Sequence, residues 1–174
     1  MHLIHVVYPA SLILVLLLSS CYERELKTRR GSDSFPKDHY FTFHLENSEI
    51  QVQLAINESE STRGLMFRKA LAPNHGMLFV YSRAEKRNFW MRNTRIPLDI
   101  GYFTSDGVLQ EIHPMYPHTE TSVSSINEQI QFALEMNQGW FIRNKIKRGC
   151  RLNLEEIRRA LAARGFNPDF YNIQ

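Results

Sequence analysis

The chain has 174 residues, 43% of them hydrophobic and 22% charged, a balance that excludes disordered, fibrous and membrane-filling proteins and fits one globular domain of ordinary size. Its 21 basic and 18 acidic residues leave a net charge of +3. That is too mild for the field of a dedicated nucleic-acid binder, so no nucleic-acid partner is expected. All of the charge lies after residue 20, because residues 1–20 contain no Lys, Arg, Asp or Glu.

Within that uncharged front, Leu12 to Leu18 is an unbroken run of seven apolar residues, well short of the about 20 that a helix needs to span a bilayer. Leu18-Ser19-Ser20-Cys21 follows at once, with small residues where a processing site is expected. The arrangement resembles a bacterial lipobox, with His2 and His5 standing where Lys or Arg is usual. The resemblance implies a lipoprotein signal peptide over 1–20 and acylation, of the palmitate type, on Cys21. An ordinary secretory cleavage near Ser20 or an uncleaved anchor is the alternative. With two or three acyl chains, each buried CH₂ contributing about 0.8 kcal/mol, the protein is anchored to the membrane rather than spanning it. Tyr22 follows the cysteine where Asp is absent, which by the same resemblance points to the periplasmic face of the outer membrane in a bacterial cell envelope. Tyr22 to Ser34 is polar and aperiodic, a flexible tether reaching roughly 20 Å. With Cys21 given to lipid, Cys150 is the remaining thiol. No intramolecular disulfide is then expected, and Cys150 beside Gly149 reads as a small semi-buried residue.

The body begins near Phe35. Phe41, Phe43 and Leu45, then Ile50, Val52, Leu54 and Ile56, alternate with polar neighbours and predict two half-buried strands around Glu46 to Glu49. Asn57 with Glu60 forms a capping box for a helix carrying Leu65 and Met66 and ending before Pro73. Gly76 to Tyr81 suits a strand covered on both faces, and Asn88 to Met91 and Leu98 to Phe103 read as further strands. Asp106-Gly107 turns the chain so that Val108 to His113 runs back along Leu98 to Phe103. Pro114 to Asn127 reads as a long loop, Ile130 to Met136 as another strand, and Gly139-Trp140-Phe141 as a turn into a short helix. Asn153 and Glu156 cap a helix with Leu154, Ile157 and Leu161 at helical spacing, stopped by Gly165. The expected fold class is α+β, mainly β: a compact antiparallel sheet or small barrel with two or three short helices. The β-rich domain covers 35–153, and 154–174 forms a C-terminal helix and tail.

Arg63-Gly64-Leu65-Met66-Phe67-Arg68, Gly76-Met77-Leu78-Phe79, Phe89-Trp90-Met91-Arg92-Asn93-Thr94 with Ile96-Pro97-Leu98-Asp99-Ile100, and Ala133-Leu134-Glu135-Met136-Asn137 before Gly139 occur in that order. Together they resemble the signature of the bacterial and archaeal domain of unknown function 192 family, over about residues 50–149. The resemblance implies a compact β-rich domain, commonly exported or membrane-tethered, and brings no activity with it. The family's usual glycine-aspartate close is Gly149-Cys150 here.

No GxGxxG, Walker, GxSxG or HExxH motif is present, so no cofactor is expected and the common hydrolase and zinc-protease readings lack their residues. Polar residues embedded in apolar segments remain: Arg63, Arg92, Asn93, Thr94, Asp99 and Glu135. In a pocket, Asp99 and Glu135 would be polar anchors, Arg63 or Arg92 would grip an anionic group, and Trp90 would supply a wall. The alternative is a buried ion pair and a turn held by Asn93 and Thr94. Catalytic candidates are Asp99, Glu135 and His113, because a three-residue hairpin loop sets Asp99 across from His113 while a two-residue loop sets it across from Pro114. Glu111 and His113 share a strand face and with His118 form a weak metal-ligand candidate. Residues 143–164 hold eight basic residues against Glu155 and Glu156, net +6 against −3 for the rest. Anionic lipid or an acidic partner would suit them, and so would a solvated helix face. Two functions follow as expectations: a lipid-anchored envelope module binding a small ligand or protein partner, and an enzyme acting on a periplasmic or cell-wall substrate. In its own host, Cys21→Ser is expected to abolish incorporation of labelled palmitate and shift the protein to the soluble fraction; labelling that survives the substitution overturns the lipobox reading.

Overall fold

A computed structural model describes residues 34–173; the leader, Cys21 and tether residues 22–33 lie outside the described residues. The first two alternating segments pair as an antiparallel hairpin, β1 (Phe41–Leu45) and β2 (Ser48–Ala55). Helix α1 (Glu58–Arg63) then carries the chain to β3 (His75–Glu85), and the crossover brings β3 back parallel to β2. Asn57 caps α1 by accepting from Glu60 N at 3.0 Å, while Glu60 Oε2 reaches back to Ile56 N at 2.9 Å. The helix is shorter than expected. Gly64 takes φ 45° and ends it at Arg63, which leaves Leu65 and Met66 in the following turn.

The strands that follow are β4 (Asn88–Phe89), β5 (Leu98–Thr104), β6 (Leu109–Met115), β7 (Val123–Ser124) and β8 (Ile130–Asn137). Six of the eight form one sheet in the order β1-β2-β3-β8-β5-β6, in which every pairing except β2–β3 is antiparallel. The sheet does not close into a barrel. β7, inside the stretch expected as loop, pairs with β4 as a separate two-stranded ribbon. The last strand in sequence therefore sits at the centre of the sheet, between β3 and β5. That position requires a glycine in β3: a Cβ on Gly76 would stand 2.4 Å from the backbone O of Glu135.

Strand alternation assigns the two faces. On one, Phe43, Val52, Leu78, Phe103, Phe132 and Leu134 pack against the C-terminal part of the chain: helix α2 (Trp140–Arg143), helix α3 (Leu154–Ala163) and a 3₁₀ turn (Pro168–Tyr171). On the other, Met77, Phe79, Ile100, Tyr102 and Ala133 are covered by Leu65, Phe89, Met91 and Ile96. α3 and the tail are thus part of the domain rather than an appendage. Ile157, Leu161, Tyr171 and Ile173 are buried in the first cluster, and Gln131 Nε2 donates to Tyr171 O at 2.5 Å. Arg164, one of the basic residues of 143–164, is itself buried and joins the helix end to the sheet. It donates to Leu54 O at 3.1 Å and to Glu60 Oε1 at 2.5 Å.

Arg164→Ala leaves the Glu60 carboxylate and a backbone carbonyl without their donor, and urea unfolding is expected to show a loss of about 3–5 kcal/mol. Arg159→Ala, on the exposed side of the same helix, is expected to change stability by less than about 0.5 kcal/mol.

Candidate functional site

The second face of the sheet is hollow beside its central strand. β8 presents Glu135 there, β3 presents Phe79 and Tyr81, and the turn after α1 together with residues 88–94 forms the opposite wall. The hollow has a volume of about 240 Å³; Glu135 is at its base, and Arg63, Thr94 and the half-exposed Trp90 are among its other lining residues. Short backbone bonds fix the wall: Met66 N to Arg63 O at 3.0 Å, Phe67 N to Asn93 O at 2.9 Å and Thr94 N to Met91 O at 3.0 Å. Phe67 and Asn93 both take left-handed φ, at 64° and 54°, so two strained residues meet across one hydrogen bond.

Glu135 is the chemical centre of the site. It is buried, and its Oε2 has no hydrogen-bond partner; among the described residues only His75 Nδ1 shares that condition. Removal from water raises its pKa from the ordinary 4.5 to about 8, with only the charge of Arg68 pulling the other way. At neutral pH most of the carboxyl is therefore protonated, and it can donate as well as accept. Tyr81 is raised by burial too, with Arg87 opposing. The Arg87 guanidinium lies 3.6 Å from the Tyr81 ring centroid and covers it from outside.

Of the residues expected in a pocket, Arg63, Trp90, Thr94 and Glu135 line this one. Arg92 and Asn93 do not. They are exposed in the adjoining turn, where Thr94 Oγ1 donates to Arg92 O at 3.2 Å, so a turn is the better account of these two. Asp99 is on the other face of the sheet, since it pairs with Met136 while its neighbour Ile100 pairs with Glu135. There its Oδ2 accepts from Gly139 N at 2.7 Å and holds the turn into α2. Burial raises the Asp99 pKa, opposed by that N–H and by Arg143.

The hairpin register explains why Asp99 meets no histidine. The loop is the longer one, with Thr104 N bonded to Val108 O at 3.1 Å. A bulge at Gln110 then moves the pairing back by one residue, and Asp99 stands opposite Pro114, with His113 opposite Ile100. His113 shares a face with Glu135, yet Ile100 on β5 separates them and its Nε2 lies 2.6 Å from Glu111 Oε2. The three catalytic candidates therefore do not share one cleft. Glu111 also accepts from Ile126 N at 2.9 Å and Asn127 N at 2.8 Å, pinning the loop before β8. Burial pushes its pKa up, but those N–H groups and His113 outweigh it and hold the carboxylate low. His118 is exposed in a turn whose N–H bonds Thr94 O, and no group of three or more metal-type ligands gathers among the described residues. Sequence reasoning missed Tyr81, Asn88 and the Ser61-Thr62 wall. Tyr81 was legible by alternation from Phe79, whereas the others depend on where α1 and β4 settle.

A family model described as Uncharacterized ACR, domain of unknown function 192, matches residues 41–154. Among solved structures, the chain is similar to a Sinorhizobium meliloti protein provisionally described as a transcription regulator. They are 33% identical with a TM-score of 0.62, over 71% of this chain and 97% of that one. A protein of unknown function from Novosphingobium aromaticivorans is 32% identical with a TM-score of 0.59, over 66% of this chain and 83% of that one. No curated protein gives a significant match.

Between pH 4.5 and 8 the folded protein holds a proton on Glu135 that the unfolded chain has released, so this group makes stability fall as pH rises through that window and level off above it. Urea unfolding at pH 5 and pH 8.5 is expected to show a loss of roughly 4 kcal/mol from this site. In Glu135→Gln that fall disappears; an equal fall in the variant sinks the assignment.

Proposed function

We propose a function from the site itself, because the chain belongs to the domain of unknown function 192 family, and membership supplies a fold without an activity. The protein is a ligand-binding module of the bacterial envelope, held to the membrane by acyl chains on Cys21. Its ligand is a small organic molecule with a hydroxyl or amine at one end, which meets the Glu135 carboxyl, and an anionic group at the other, which meets Arg63 beside Trp90. One observation carries this reading: a buried carboxyl oxygen without a partner at the base of a pocket. Native proteins leave few such atoms unsatisfied, and a ligand group that completes Glu135 recovers part of its desolvation cost. The volume, just under the about 300 Å³ at which drug-sized pockets begin, suits a metabolite-sized ligand. The lipobox pattern Leu18-Ser19-Ser20-Cys21 supports the anchor. Enzymatic action through paired acids has less support, because Asp99 is on the far face of the sheet from Glu135.

The test is an amide-detected NMR titration of the protein with short hydroxy acids, amino acids and sugar acids. A ligand of this class is expected to shift the amides of Gly64, Trp90 and Glu135 at or below millimolar concentration. Arg63→Ala is expected to weaken its binding at least about tenfold, the loss of one charged hydrogen bond, and Glu135→Leu to abolish it. A panel without any binder, or binding unchanged in Arg63→Ala, refutes the proposal.

A further inference from the structure

The basic segment 143–164 divides into two parts. In its helical part, Arg158 pairs with Asp169 and Arg164 with Glu60, and just before the helix Arg151 pairs with Asp106. In its first part, the end of α2 and the loop after it, Arg143, Lys145, Lys147 and Arg148 are exposed and take part in no ion pair among the described residues. These four line one open concavity of about 640 Å³, in which Glu46 is the single carboxylate. Beside them Ile142 is 79% exposed, while Trp140, Phe141 and Ile146 on either side of it are buried. The loop is also rigidly built. Ile146 N bonds Phe141 O at 2.9 Å, Gly149 N bonds Leu109 O at 2.8 Å, and Cys150 N bonds Lys147 O at 3.1 Å. One exposed aliphatic side chain thus adjoins, in a segment fixed by backbone hydrogen bonds, four exposed cations that make no ion pair.

We propose that this loop, Ile142 to Arg148, is a membrane-contacting surface whose partner is a bilayer containing anionic phospholipid. The four cations meet headgroup phosphates and Ile142 enters the interface below them, the combination of basic and apolar side chains by which peripheral proteins sit on charged bilayers. An acidic protein would satisfy the cations, but it gives no account of the exposed isoleucine next to Arg143. The contact is independent of both the Glu135 pocket and the acyl anchor.

The test is flotation of a fragment comprising residues 35–174, which forms one compact unit containing both apolar clusters and every described strand. The fragment is mixed with vesicles of phosphatidylcholine alone or of phosphatidylcholine with phosphatidylglycerol. It is expected to float with the anionic vesicles only, and less as salt is raised. Simultaneous Arg143→Gln, Lys145→Gln, Lys147→Gln and Arg148→Gln should lower vesicle binding at least about tenfold. Ile142→Ser should lower it several-fold while keeping the salt dependence, and Arg63→Ala should float like the wild type. Circular dichroism and the urea midpoint are expected to be unchanged in all of these, since each altered side chain is exposed; should the quadruple variant not fold, the pair Lys145→Gln with Lys147→Gln replaces it. A wild-type fragment that ignores anionic vesicles, or binds an acidic polypeptide instead, overturns the proposal, as does undiminished flotation of the charge variant.

Discussion

The central strand of this protein has neighbours on both edges and both faces, and one of its inward residues is a carboxylic acid. Much of the rest of the structure accommodates that fact. Water cannot reach Glu135 from β3 or β5, so the charged form is expensive and the proton stays near neutrality. Close packing of β3 on β8 demands Gly76 where its Cβ would strike the Glu135 carbonyl. The hollow over the side chain is walled by the end of α1, the turn after it and residues 88–94, and the Phe67 N to Asn93 O bond ties the two wall segments together.

Comparison with the other buried polar groups shows what is unusual about Glu135. Asp99 is also buried, though less deeply, and a backbone N–H satisfies it so that it holds a turn. Glu111 takes two backbone donors and a histidine and ties down a loop. Arg164 has a carboxylate and a carbonyl, and fastens the C-terminal helix. Each of these is structural because its hydrogen bonds are complete within the chain. Glu135 alone among these carboxylates keeps an oxygen without a partner, the observation on which the proposed binding site rests.

The charges divide in the same way. Arg151, Arg158 and Arg164 neutralise acids and stabilise the packing of the C-terminal third, whereas Arg143, Lys145, Lys147 and Arg148 line one concavity with a single carboxylate, Glu46, and form no ion pair among the described residues. A run of basic residues along the sequence is therefore two features in space, one holding the fold together and one facing outward. Tertiary partners make the division, and a net charge cannot.

Most of the strand and helix inventory, β7 excepted, was legible from the sequence, because period two and the Asn57 and Asn153 caps are local physics acting over a few residues. The oddity of Glu135 in an apolar run was legible for the same reason. The parallel β2–β3 pairing, β8 at the centre and the bulge at Gln110 were not, since each depends on which distant segments meet. Those choices decided the site. A one-residue shift in the hairpin determined that Asp99 faces Pro114, and alternation across β5 and β8 put Asp99 and Glu135 on opposite sides of the sheet. The sequence alone determined which residues would be costly to bury; only the tertiary structure decided which of them found partners, because a partner is supplied by strands and turns far away along the chain.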